Sequence, residues 1–148
     1  YLNITKQRNQ KILKNFKKIE YHFSQCEMTK YNGQYATEYK MLPLINPDFI
    51  YLDGPDQFKI KKRINNFTTA HSDMMPMVCD ILKFENFLIP GTIIIADGRK
   101  ANSYFLLNNF KRNWIYDYDK KNDQSIFYLN DNSLGPINDE TFKFYRNK

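Results

Sequence analysis

Two short apolar runs that each end at an aspartate constrain the fold more than any other feature of the chain. The first run, Phe49–Leu52, stops at Asp53, and the second, residues 92–96, stops at Asp97; a glycine follows each aspartate. Unbroken apolar runs of this length are typical of strands that are buried on both faces, as in parallel sheets. We predict that the two strands are parallel neighbours, with Asp53 and Asp97 at one edge of the sheet.

The segments around these runs predict an alternation of strands and helices. The patterns predict a strand tail at residues 1–4, a half-buried strand at 18–28, and helices at 6–17, 72–91 and 99–112. We interpret residues 29–47 as a loop with a short helix, 56–72 as a long loop or irregular helix, and 113–129 as an aromatic hairpin. This order favours an α/β fold: a Rossmann-like open, mostly parallel sheet with helices on both faces and a carboxyl-terminal antiparallel hairpin.

Length and composition indicate a single globular domain over residues 1–148. The hydrophobic content of 42%, with 12 Phe and 11 Tyr, is too high for a disordered chain. No apolar run approaches the roughly 20 residues of a membrane span, so we expect no membrane partner. Cys26 and Cys79 match no metal-binding spacing and are interpreted as buried free thiols. Since this use of cysteine demands no oxidising compartment, the expected location is cytoplasmic.

The net charge of +6 is concentrated in two basic stretches, residues 6–18 and residues 59–63. Apolar residues interrupt the first stretch at helical spacing, at Ile12, Leu13, Phe16 and Ile19. This pattern indicates a helix with an apolar face and a solvated basic face, and it does not favour nucleic-acid binding. The second stretch fits a loop that recognises an anionic acceptor and fits a plain solubilising loop equally well.

The paired aspartates suggest a site for a divalent cation. Adjacent strands lie about 5 Å apart, which brings Asp53 and Asp97 within reach of one ion. Asn102, one turn into the following helix, adds a third oxygen, and such ligands suit Mg²⁺. The alternative is that each Asp-Gly pair only makes a turn and that the aspartate caps the next helix.

Two longer stretches resemble a known enzyme family. The stretch DFIYLDGPDQF, the later stretch FLIPGTIIIADGRKANSYFL and the terminal aromatic hairpin are similar to the carboxyl-terminal two thirds of class I S-adenosylmethionine-dependent methyltransferases. The similarity is closest to the metal-using O-methyltransferases of the catechol and macrocin types. It implies methyl transfer to an oxygen of a small or saccharide-like acceptor, with Asp53 and Asp97 as metal ligands. Gly98 stands where those families often place a third ligand, so Asn102 would have to substitute.

The resemblance also implies contacts with the cofactor. Asn3 would bind the ribose, Gln25 and Cys26 follow the strand after which adenine is usually read, and Asp53 adds an acid at the fourth strand. The Gly-x-Gly turn that these families place after their first strand is missing from the sequence. We therefore expect an amino-terminally truncated methyltransferase-like domain that binds S-adenosylmethionine weakly or not at all.

The general base and the functional class are the remaining questions. His71, in the long loop, is the candidate base together with Asp53, and a solvated loop histidine is the alternative. A second class stays open, a non-catalytic α/β module that binds an anionic partner through its basic helix and loop. A sheet without its first strand exposes an unpaired edge, which also allows a homo-oligomer.

Overall fold

A computed structural model describes residue 7 and residues 19–146 of the chain. Residue 7 is helical; the rest of the helix predicted at residues 6–17, and the strand predicted at residues 1–4, lie outside the described residues. The fold below is therefore that of residues 19–146.

The first element is a two-stranded antiparallel hairpin, β1 (Cys26–Tyr31) and β2 (Gln34–Tyr39). Its turn is Asn32-Gly33, with φ of 48° and 78°, and positive φ at both central residues is the requirement of the tightest hairpin turns. The strand predicted over residues 18–28 therefore forms only from Cys26 onward among the described residues, and the prediction of a loop with a short helix over residues 29–47 was wrong for Gln34–Tyr39. Residues 19–24 alternate apolar and polar side chains, as a strand would. The Asn-Gly turn is the stronger signal, and it determines that β1 pairs with β2.

The second sheet has four strands in the order β3-β4-β6-β5. Its strands are β3 (Phe49–Leu52), β4 (Ile93–Asp97), β5 (Trp114–Asp119) and β6 (Gln124–Leu129). Only β3 and β4 run parallel, while β6 returns antiparallel beside β4 and pairs with β5 on its other side. The prediction of a Rossmann-like, mostly parallel sheet was wrong, because antiparallel pairings dominate the described residues. The short turn between β5 and β6 forces an antiparallel hairpin, and its second strand takes the place beside β4.

The helices agree with the prediction over residues 99–112 and differ from it in two regions: residues 72–91, and Pro136–Arg146, where a helix forms that was not predicted. Residues 72–91 were predicted to be one helix, yet only α1 (Asp80–Phe84) and a 3₁₀ turn (Glu85–Phe87) form there. The preceding backbone pairs with β2 instead: Thr37 N–H donates to the Met77 carbonyl, and Cys79 N–H donates to the Thr37 carbonyl. Those groups are then unavailable for helical hydrogen bonds, and Pro76 has no N–H to donate.

The other two helices are α2 (Lys100–Asn109) and α3 (Pro136–Arg146). Helix α2 agrees with the prediction. Its fully buried residues include Leu106 and Asn102, whereas its aromatic residues are not among the buried ones. Leu106 belongs to the main core, which also contains Ile94 of β4 and Phe127 of β6. None of the helices described is both long and apolar enough to cross a membrane.

A buried carboxylate joins α1 to the last hairpin. Glu85, 2% exposed, accepts hydrogen bonds from the N–H groups of Lys111 and Arg112 at 2.9–3.1 Å and from the Trp114 indole at 2.9 Å. Trp114 also stacks on Phe110, with ring centroids 4.6 Å apart. This side chain therefore fixes how the chain leaves α2 and enters β5.

We expect the Gly33→Ala substitution to destabilise the protein by about 1 kcal/mol, because alanine disfavours the left-handed conformation that the turn requires. No heavy atom lies within 4 Å of the added Cβ, so steric contact contributes nothing to this cost. Urea unfolding measures the difference. Gly33→Asn is the matched control, since asparagine tolerates positive φ and should lose less. Equal stability of both variants and the wild type would contradict the turn assignment.

Candidate functional site

The carboxyl ends of β3 and β4 bring two of the predicted site residues together. Leu52 pairs with Ala96 in the parallel register, and Asp53 and Asp97 follow in register at the ends of their strands. The prediction that these strands are parallel neighbours is confirmed. We name the group formed by Tyr51, Asp53, Asp97 and Arg99 the carboxylate edge.

Asp97 is held by two side chains from neighbouring strands. The Tyr51 hydroxyl of β3 donates to its Oδ2, and the Gln124 amide of β6 donates to its Oδ1 at 3.4 Å. Donation to Asp97 raises the pKa of Tyr51, and the nearby charge of Asp53 adds to this shift. Tyr51 therefore remains a protonated donor that orients the Asp97 carboxylate.

Arg99 supplies the positive charge of the carboxylate edge. Its side chain is partly buried, and burial lowers its pKa, while the charge of Asp53 acts in the opposite direction. One terminal nitrogen donates to the Pro76 carbonyl at 3.4 Å. The Nε–H is buried and has no hydrogen-bond partner among the described residues. Because a guanidinium keeps its charge, Arg99 retains a buried donor that no described residue uses.

Two residues of the hairpin β1–β2 lie behind Arg99. Burial raises the pKa of Cys26 to about 11 and that of Tyr39 to about 12, and both groups interact electrostatically with Arg99. The Tyr39 hydroxyl would lie 3.0 Å from a Cβ at position 54, so Gly54 permits this close approach. The structure thus places Cys26 and Asp53, both predicted to bind the cofactor, around the same guanidinium.

Asp80 is a buried carboxylate close to this group. Both of its oxygens accept the Tyr39 N–H, at 3.1 and 3.2 Å, and its side chain is only 5% exposed. Burial raises its pKa to about 6, although the hydrogen bond from Tyr39 opposes the shift. Asp80 therefore fixes the end of β2 and titrates in a range where an exposed aspartate would be fully ionised.

The contacts of Asn102 do not fit a metal ligand. It is fully buried, its Oδ1 accepts the Val78 N–H at 3.1 Å, and its Nδ2 donates to the Val78 carbonyl at 3.4 Å. Among residues 19–146, no group of three or more His, Cys, Asp or Glu side chains is arranged to hold a metal ion. Asp53 and Asp97 alone do not complete the three-ligand set that was predicted for Mg²⁺.

The contacts shown for the other predicted residues do not involve the carboxylate edge, and one of these residues lies outside the described part of the chain. The His71 ring is exposed and bonds to its own loop, where Nδ1 accepts the Asp73 N–H at 3.2 Å. The Gln25 carbonyl accepts the Lys40 N–H at 3.0 Å, which gives this residue a backbone role. Asn3 lies outside the described residues.

Tyr51, Arg99 and Gln124 were not predicted as site residues. Tyr51 precedes Asp53 by two positions, a spacing that places both side chains on one face of an extended chain, and the sequence alone carries this signal. Arg99 follows the second Asp-Gly pair directly. Gln124 reaches the site only because β6 pairs with β4, and no local pattern predicts that pairing.

Comparison of the chain with protein-family models gave no match, and comparisons with curated proteins and with solved structures gave none either.

The stability of the protein should depend on pH through Asp80. Its pKa is about 6 in the folded protein and 3.8 as the unperturbed value. The folded state thus holds the proton of Asp80 more tightly. The stability that this group contributes is fully present below about pH 4 and is lost as the pH rises through about 6. The loss amounts to about 3 kcal/mol.

Asp80→Asn keeps an acceptor for the Tyr39 N–H and cannot ionise, so it isolates this effect. We expect the stability of the wild type relative to Asp80→Asn to fall between about pH 4 and pH 6, as measured by urea unfolding at several pH values. Parallel stability profiles of the two proteins would show that Asp80 does not have a raised pKa.

Proposed function

We propose that the carboxylate edge binds S-adenosylmethionine and that the chain acts as an O-methyltransferase domain for a small hydroxyl acceptor. The observation that carries this proposal is the in-register arrival of Asp53 and Asp97 at the ends of two parallel strands, beside Arg99. Ligands of α/β sheets commonly bind at such strand ends. The resemblance of both strand ends to O-methyltransferases supports the same assignment.

The charges of the edge match the charges of this ligand. S-adenosylmethionine carries a sulfonium and an ammonium group, which two carboxylates stabilise, and a carboxylate, which a guanidinium binds well. Arg99 has a buried donor without a partner among the described residues, and Asp97 is held in place by Tyr51. The residues present therefore fit a ligand of mixed charge better than they fit a metal ion.

The chemistry needs only an acceptor, a base and the methyl donor. Asp53, Asp97 and Arg99 would hold S-adenosylmethionine, which when bound would supply an electrophilic methyl group to the acceptor oxygen. We assign Asp53 as the group that takes the acceptor proton, because the oxygens of Asp97 are engaged by Tyr51 and Gln124.

The alternative, a module that binds an anionic partner through basic residues, finds less support. In the basic loop, Lys59 pairs with Asp56 at 3.2 Å, and Lys62 pairs with Glu27. These pairings neutralise part of the loop. The basic helix that was predicted at residues 6–17 lies outside the described residues, apart from residue 7.

We expect S-adenosylmethionine to bind residues 1–148 weakly, with a dissociation constant of about 1 mM, or about −4 kcal/mol. In an NMR titration the amide signals of Asp53, Gly54 and Arg99 should shift. S-adenosylhomocysteine, whose sulfur is uncharged, should bind less tightly. Asp97→Asn should reduce this preference, because it removes one of the two carboxylates proposed to stabilise the positive groups of the ligand.

Asp139→Asn is the matched control. It removes an exposed carboxylate from α3. Phe142 of this helix lies 3.7 Å from the position of a Cβ added at Gly91, so α3 packs near the start of β4, whereas Asp97 lies at its end. The titration of this variant should equal that of the wild type. Shifts that are absent at millimolar ligand, or that cluster elsewhere, would contradict the proposal. Transfer of a labelled methyl group to small hydroxyl acceptors would then separate an enzyme from a module that only binds the cofactor.

A further inference from the structure

An apolar groove beside β3 shares one residue with the carboxylate edge. Residues 42–47 form one wall of this groove, and side chains of β3 and of the segment at α1 form the others. Its volume is about 790 Å³, which is typical of a pocket for a small molecule. Tyr51 also lines the groove, and its hydroxyl group donates to Asp97. The groove and the carboxylate edge are therefore continuous at Tyr51.

One face of β3 changes from apolar to acidic along the strand. Phe49, Tyr51 and Asp53 are spaced by two residues, so their side chains share one face of an extended chain. At about 3.3 Å per residue, the row from Phe49 to Asp53 is about 13 Å long. Phe49 and Tyr51 are each about half exposed, so both are accessible. A ligand that lies along this row meets an aromatic ring at one end and carboxylates at the other.

The wall of the groove is almost entirely apolar. In the part of the chain that the structure describes, no side chain with a formal charge lines it, and the polar side chains that do are Asn46 and Tyr51. A bound saccharide would bury hydroxyl groups here with few partners, which disfavours its binding. Leu44 is fully exposed and Phe87 is 76% exposed, and a contiguous exposed group of this kind marks a binding surface. The wall therefore recognises a hydrocarbon body.

The groove extends to both faces of the sheet. Ile50 and Phe84 line it and also pack against the main core, whereas Phe49 and Tyr51 lie on the opposite face of β3. Strand β3 is the terminal strand of its sheet among residues 19–146, so the groove passes round an edge that no described strand covers. A flexible hydrocarbon chain can follow this bend, whereas a rigid ring system contacts only part of the wall.

Negative charge surrounds the polar end of the groove. The hydrogen bond to Asp97 and the charges of Asp97 and Asp53 raise the pKa of Tyr51. Asp97 accepts hydrogen bonds from Tyr51 and Gln124, whereas Asp53 is exposed. A hydroxyl group can donate to such a carboxylate, while an anionic head group would be repelled by it. The head group that fits is therefore a neutral alcohol.

We propose that the groove binds the aliphatic chain of an alcohol acceptor, whose hydroxyl group donates to Asp53. This inference rests on the proposed function, because it names the acceptor class of the same site. The chain lies against Phe49 and Phe87, and the Tyr51 ring lies between the chain and the carboxylates. The groove then favours an aliphatic alcohol over a saccharide and over a fatty acid.

Straight-chain primary alcohols test the proposal on the full chain, without S-adenosylmethionine. We expect hexanol, heptanol and octanol to bind with rising affinity, by about fourfold for each added methylene group, which corresponds to about 0.8 kcal/mol. In an NMR titration, the amide signals of Leu44, Phe49 and Tyr51 should shift. Equal affinities along the series, or shifts that cluster elsewhere, would refute binding in the groove.

Two phenylalanines provide a matched pair of variants. Phe87 and Phe58 are both exposed and both lie in 3₁₀ turns, at Glu85–Phe87 and Gln57–Lys59, but Phe87 lines the groove and Phe58 does not. Phe87→Ser should weaken octanol binding by about fivefold, because the chain loses an apolar contact. Phe58→Ser should bind octanol as the wild type does. Equal affinities of the two variants would place the alcohol outside the groove.

Octanoate tests the position of the head group. It has the chain length of octanol and carries a carboxylate in place of the alcohol. We expect octanoate to bind about tenfold more weakly than octanol, because its charge would lie beside Asp53 and Asp97. Asp53→Asn should reduce this difference, since it removes one of the two carboxylates. Equal binding of octanol and octanoate to the wild type would show that the head group does not reach the carboxylate edge.

The acceptor class and the proposed function can fail separately. Octanol binding in the groove, without any response to S-adenosylmethionine, would support the groove as an alcohol site and refute the methyltransferase. Shifts at Asp53 and Arg99 with S-adenosylmethionine, without octanol binding, would refute the acceptor class alone. Groove signals that shift when only the protein concentration is raised would show that a second copy occupies the groove, and this result would also overturn the inference.

Discussion

Strand β4 is the element on which the rest of the molecule depends. It is paired on both sides, parallel to β3 and antiparallel to β6, and its Ile94 and Ala96 are fully buried in the main core. Its register with β3 sets Asp97 beside Asp53, and its register with β6 sets Asp97 opposite Gln124. A register shift of one residue would turn each side chain of β4 to the other face of the sheet. It would disrupt both the core and the site.

Several elements that local patterns control were predicted, although the hairpin at Asn32-Gly33 was not. The apolar runs that became β3 and β4, the helical spacing of α2 and the hairpin of β5 and β6 all appear where their sequences indicate. Long-range pairing was not predictable, because β6 lies between β4 and β5 although β5 comes first in the chain. That order reduces the parallel part of the sheet to one pair. Residues 72–79 show the same effect, since backbone pairing with Thr37 overrides an apolar helical pattern.

The same distinction between local patterns and long-range packing applies to the residues of the candidate site. Asp53 and Asp97 could be placed together from sequence because each ends a run of the same kind. Asn102 has the right spacing for a ligand, but a fully buried amide first satisfies its own hydrogen bonds, and the backbone of Val78 does so. Arg99 gains its importance from burial next to Asp53 and Cys26, and burial at the junction of three segments is a tertiary property.

The bonds of Glu85 to Trp114 have an optical consequence. The chain contains a single tryptophan, so its intrinsic fluorescence reports only the junction between α2 and β5, where the indole stacks on Phe110. The β1–β2 hairpin contains no indole and is silent in this signal. Fluorescence and circular dichroism therefore observe different regions during unfolding. Coincident transitions would show that the small hairpin and the four-stranded sheet melt as one cooperative unit.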